Sequence, residues 1–98
     1  MKTQILAIGR HVEILQTVVR LINNNPEWNA IGVSTDDEAL LAFETHPFKL
    51  ILLCGGIEKE SEAMLCEAFK ALNPGILIIQ HYGGGSGLLT AEIYQALA

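Results

Sequence analysis

The stretch "FKLILLCGG" (Phe48 to Gly56) decides the architecture. Leu50, Ile51, Leu52 and Leu53 follow one another without a polar residue between them, so the extended segment they form is apolar on both faces. A strand with one wet face would alternate. One that is apolar on both sides belongs in a parallel sheet covered by helices above and below. Gly55 and Gly56 then end it.

Reading outward from this strand, the same unit recurs on either side. "QILAIG" (Gln4 to Gly9) is a first strand, and "HVEILQTVVRLINNN" places Ile14, Leu15, Val18, Leu21 and Ile22 on one face of a first helix that closes at "NNNP". "NAIGVS" (Asn29 to Ser34) is the second strand. Thr35, with Glu38 three residues on, makes a capping box for the second helix, "DDEALLAFETH", which stops at His46 and Pro47. Beyond the glycines, "ESEAMLCEAFKAL" carries Leu65, Ala68, Phe69 and Leu72 at helical spacing and closes at "NPG". The fourth strand is "ILIIQ" (Ile76 to Gln80), and a fourth helix runs from about Leu88 with Leu89, Ile93 and Leu97 as its buried stripe. Four strands alternating with four helices in 98 residues predict a single α/β domain, residues 1–98, with right-handed crossovers.

Composition narrows the classes of function. The net charge is −5 and the six cations are scattered, so no basic stripe is present to neutralise nucleic-acid phosphates. The apolar runs are strand-length and no cleavable hydrophobic segment follows Met1, which predicts a soluble cytoplasmic protein with no membrane partner. Cys54 and Cys66 lack CxxC spacing, and no disulfide is expected. Half of the residues are hydrophobic, a share that suggests a surface buried by another chain.

In parallel sheets of this kind ligands bind outside the carboxyl ends of the strands. The candidate site residues are therefore Arg10, His11, Cys54 and His81, with the loop Gly83, Gly84, Gly85, Ser86 and Gly87. The loop precedes a helix and offers backbone N–H groups to an anion; it serves equally as a turn or a close chain crossing, with Ser86 as a plain helix cap. The histidines fit surface or capping roles as well as functional ones. Cys54 reads as a small buried hydrophobe unless Arg10 or a charged histidine lies close enough to stabilise its thiolate.

Larger stretches resemble the receiver domain of two-component response regulators: "ILAIGRHVEILQTVVRLI" its opening strand and helix, "STDDEALLAFETHPFKLILLC" its second helix and third strand, "NPGILIIQ" the approach to its fourth strand. The resemblance implies a flavodoxin-like three-layer sandwich with strand order 2-1-3-4, lacking the family's fifth strand and helix, and a role in signal transduction by protein contact. It also implies what is absent. The family's phosphoacceptor aspartate falls on Cys54, its magnesium-binding acidic pair on Gly9 and Arg10, and its fourth-strand hydroxyl on Gln80. Carboxylate oxygens are what Mg²⁺ requires, so phosphorylation by the receiver mechanism is excluded on residue identity.

Enzyme templates fit poorly. The arginine that a phosphatase loop needs six positions after its cysteine is Glu60, and a dinucleotide fingerprint finds only Gly9 in "GRHVEI". Zinc finds at most His11, Cys54 and His81, from separate strand ends. The expectation is a non-phosphorylatable regulatory module with no cofactor and no resident metal. A small protein or enzyme acting on an anionic small molecule in the crevice is the alternative. The fourth strand has no lysine, proline or inward charge to protect an edge, which predicts a homodimer through that strand or the fourth helix.

Overall fold

A computed structural model describes residues 2–81 and 86–97. The elements run β1 (Thr3–Ile8), α1 (Val12–Asn23), β2 (Trp28–Val33), α2 (Asp36–Thr45), β3 (Leu50–Leu53), α3 (Lys59–Leu72), β4 (Leu77–Gln80) and α4 (Ser86–Leu97). All strand pairs are parallel and the order is β2-β1-β3-β4, the flavodoxin-like arrangement expected from the sequence.

The pleat sorts side chains onto two cores. Ile5, Ala7, Leu50, Leu52 and Cys54 face the layer of α1 and α4, where they meet Leu15, Val18, Leu89 and Ile93. Leu6, Ile8, Ile51 and Leu53 face the layer of α2 and α3 and meet Ala39, Phe43, Leu65 and Phe69. β3 is buried at all four positions, as its uninterrupted apolar run demands. Its neighbour β4 is an edge strand, and Leu77, Ile78 and Ile79 there are only half-buried.

Local signals mostly hold. The Thr35 side chain accepts the Glu38 N–H, and the Glu38 carboxylate accepts the Thr35 hydroxyl at 3.1 Å and the Ser34 N–H at 3.3 Å. Two apolar positions depart from the expected faces. Ile14 is 58% exposed because the stripe that meets the sheet is Leu15, Val18 and Ile22, leaving Ile14 on its flank. Leu72 is 60% exposed because it is the last residue of α3, one turn past Phe69, the last residue of that helix to enter the core.

The fourth helix starts at Ser86, two residues before the expected boundary. It lies against α1: Tyr94 packs on Trp28 with ring centroids 4.7 Å apart, and its hydroxyl accepts from Asn25 at 2.8 Å. The predicted stripe is thus used within the chain, with Leu89 and Ile93 buried and Leu97 half-buried.

Candidate functional site

Because the strands are parallel, Arg10, Cys54 and His81 all emerge at the carboxyl edge of the sheet. Their side chains do not all leave on the same side of the sheet. Strand parity decides this: Gly9, Cys54 and His81 continue the register facing α1 and α4, whereas Arg10 and Gln80 face α2 and α3.

On the α2/α3 side Arg10 is the centre of a charged cluster. Its Nη2 donates to Asp36 at 2.7 Å and to Glu58 at 3.0 Å, its Nη1 donates to the Ser34 carbonyl at 3.0 Å, and its Nε reaches Glu58 at 3.3 Å. Asp36 is there because it opens α2 behind its Thr35 cap, and Glu58 because it is the N-cap residue of α3. The pairing raises the guanidinium pKa further, with Glu58 the larger cause and Asp36 the next. Hydrogen bonds from Arg10, then from the Ser61 hydroxyl, hold the Asp36 carboxyl below its usual range. Glu58 is lowered chiefly by Arg10 as well. Beyond Ser61, Gln80 at the end of β4 donates to Glu62 of α3.

On the α1/α4 side the groups are buried. Cys54 is 8% exposed, and burial pushes its thiol up to about 11, which favours the protonated form. The sequence reading of Cys54 as a buried hydrophobe describes its environment. Gly9 beside it is closely packed: a Cβ would sit 3.0 Å from the Cys54 Cβ. His81 is 5% exposed and its Nδ1 lies 2.7 Å from the Glu92 carboxylate of α4. This ties the end of β4 to the last helix.

His11 is exposed at the N-cap position of α1 and makes no side-chain cap bond. Its ring lies over the turn after β3, where Gly56 has φ of +90° and a Cβ would come within 3.4 Å of the imidazole. Gly83, Gly84 and Gly85 lie outside the described residues; Ser86 and Gly87 open α4. Among the described residues no three His, Cys, Asp or Glu side chains are placed to hold a metal ion. No described helix is long and apolar enough to cross a membrane.

The ends of β1 and β3 carry Gly9, Arg10 and the buried thiol of Cys54, a donor set that does not fit Mg²⁺. Sequence reasoning missed Asp36, Glu58 and Glu92 as partners. The first two carried a signal, since acidic residues at the N-terminal ends of the helices after β2 and β3 return to the same edge as Arg10. Glu92 carried none, because its place depends on how α4 docks.

No protein-family model matches the sequence and no curated protein aligns with it. Solved structures do match in shape. A beryllofluoride-activated DrrB receiver domain superposes with a TM-score of 0.77 at 13% identity, covering 99% of this chain and 98% of that one. The receiver domain of the hybrid histidine kinase CckA gives 0.70 at 14% identity, with 97% and 99% covered. A lactose-specific IIB component of the phosphoenolpyruvate:carbohydrate phosphotransferase system from Streptococcus pneumoniae gives 0.68 at 16% identity, with 99% and 92% covered. The chain has a receiver-like fold.

Proposed function

We propose that this protein is a cytoplasmic receiver-like regulatory module that acts through protein contact, without phosphoryl transfer. The observation that carries the reading is the content of the carboxyl edge. A core-facing, buried Cys54 follows β3 where the resemblance would put an acceptor aspartate, and Arg10, which follows β1 where it would put ion-binding carboxylates, is already held by Asp36 and Glu58. The anionic-ligand alternative is disfavoured by the same cluster, because an anion reaching Arg10 would have to displace a carboxylate.

The test is incubation with acetyl phosphate and Mg²⁺ followed by intact-mass measurement. The expected mass is that of the unmodified chain; a Mg²⁺-dependent phosphoryl adduct would overturn the reading.

The contact surface proposed is the free edge of β4, in a two-fold dimer. It is supported by the half-buried Leu77, Ile78 and Ile79 and by the absence of a charged or proline guard in that strand. The apolar stripe of α4 is engaged in the core, so the strand edge is the stronger of the two expected surfaces. Light scattering should give about twice the 10.7 kDa chain mass, and a monomer at high concentration would remove this part of the proposal.

A further inference from the structure

We infer that the Asn23 side chain is a mock strand that shuts the β2 edge, so that a second copy of this chain enters the sheet at β4 alone. β2 and β4 are the two outer strands. Along a parallel strand the N–H and C=O of one residue point to the same side, and those of its neighbours to the other. The Glu27 and Val33 carbonyls turn inward and accept from Thr3 and Gly9, so Trp28, Ala30, Gly32 and Ser34 turn outward. Most of that row is taken. Asn23, the last residue of α1, accepts the Ala30 N–H on Oδ1 at 2.7 Å and donates from Nδ2 to the Ala30 carbonyl at 3.3 Å. Its amide carries a donor and an acceptor, as a peptide group of a neighbouring strand would. The Trp28 N–H donates to the Asn25 carbonyl and the Ser34 N–H to Glu38, while the Ser34 carbonyl accepts from Arg10. Gly32 lies between two closed positions, and one residue is too short a template for a strand.

The other outer strand has no such cover. On β4 the Leu77 and His81 N–H groups donate inward to Lys49 and Leu53, so Ile78 and Gln80 turn outward. Among the described residues no side chain bonds to their backbone groups. The asymmetry selects between two assemblies. β4 of one copy laid on β2 of the next is a parallel, head-to-tail contact, which repeats without closing. β4 laid on β4 about a two-fold axis is antiparallel and closes at two copies. The Asn23 amide removes the first and leaves the second, which is how an edge strand is kept from polymerising. The inference rests on the β4 contact proposed above. The two fail differently: a monomeric wild type removes that contact, whereas the Ala30 amide and the Asn23 variants decide this one.

The experiment is backbone hydrogen exchange on wild type, with light scattering over a concentration series on wild type, Asn23→Ala, Asn23→Ser and the double variant Asn23→Ala/Ile78→Pro. In wild type the Ala30 amide should exchange about tenfold more slowly than the Gly32 amide, after correction for their intrinsic rates. Asn23→Ala should lose that protection when dilute and grow past the wild-type mass as its concentration rises. Ile78→Pro removes an outward N–H of β4 without breaking a bond to β3, so the double variant should stop growing. Should Asn23→Ala fail to fold, Asn23→Ser, too short to span both Ala30 groups, must show the same growth. Equal exchange at Ala30 and Gly32 in wild type overturns the inference. So does a folded Asn23 variant that keeps the wild-type mass at every concentration, or growth that Ile78→Pro leaves intact.

Discussion

Arg10 and His81 leave the same edge of the same sheet, yet their surroundings are opposites. Arg10 sits among charges that water still reaches, in a cluster drawn from β2, α2 and the start of α3. His81 is buried with Cys54 on the other side of the pleat and has one carboxylate partner, Glu92, on α4. The difference comes from strand parity: a shift of one residue at a strand end exchanges one helical layer for the other. Among the described residues, ion pairs hold the Arg10 side of the edge and packing holds the other.

The largest effect is expected from putting a carboxylate into the packed half. Cys54→Asp places a charge in the α1/α4 core with no partner, and it should cost about 3 kcal/mol or more in denaturant unfolding. Cys54→Ala, which only removes volume, should cost about 1 kcal/mol. If the aspartate variant were as stable as wild type, residue 54 would have to reach solvent or Arg10, and the division of the edge would be wrong.

A smaller effect belongs to the tie between β4 and α4. His81→Ala should lose about 2 kcal/mol, from packing together with a hydrogen bond to a charged partner. A double-mutant cycle with Glu92→Gln should return a coupling of about 1 kcal/mol, reduced by the partial exposure of Glu92. A coupling of zero would leave His81 as a packing residue alone.

The charged half should give the smallest change and a distinctive pH dependence. Arg10→Ala should lower the melting temperature by a few degrees, less at high salt. The Asp36 carboxyl is held lower in the folded chain than in the unfolded one, chiefly by Arg10. Its contribution is complete above the unfolded aspartate value of ~3.9 and is lost as pH falls through the lower folded value. Wild type should therefore lose stability on acidification below about pH 4 more steeply than Arg10→Ala. Parallel acid limbs for the two proteins would mean that the guanidinium does not hold Asp36 in solution.

The architecture was legible because it is written in short-range patterns. "FKLILLC" could lie only between two helical layers, and Thr35 with Glu38 announced α2. What the edge contains was legible residue by residue, and how it is joined was not. Arg10 is 26 residues from Asp36 and 48 from Glu58, and no local periodicity reports such a pairing. Counting strand ends put Arg10, Cys54 and His81 at one edge, and parity then sends Arg10 to one helical layer and the other two to the opposite one. Parity could have been read, since Cys54 continues the register of Leu50 and Leu52 while Arg10 continues that of Leu6 and Ile8. The partner of His81 could not have been read, because α4 docks by tertiary packing against α1 and Trp28.

The central proposal is that this edge does not respond to phosphoryl chemistry, because Arg10 is held by Asp36 and Glu58 and Cys54 is buried. Its most direct test is a ¹H–¹⁵N correlation spectrum of the wild-type protein, including the Arg10 Nε–H signal, recorded with and without Mg²⁺ and beryllofluoride. The account predicts no shift at Ser34, Cys54, Glu58, Gln80 or the Arg10 side chain. Mg²⁺-dependent, saturable shifts at these positions would show an acceptor and ion site at work, and would contradict it.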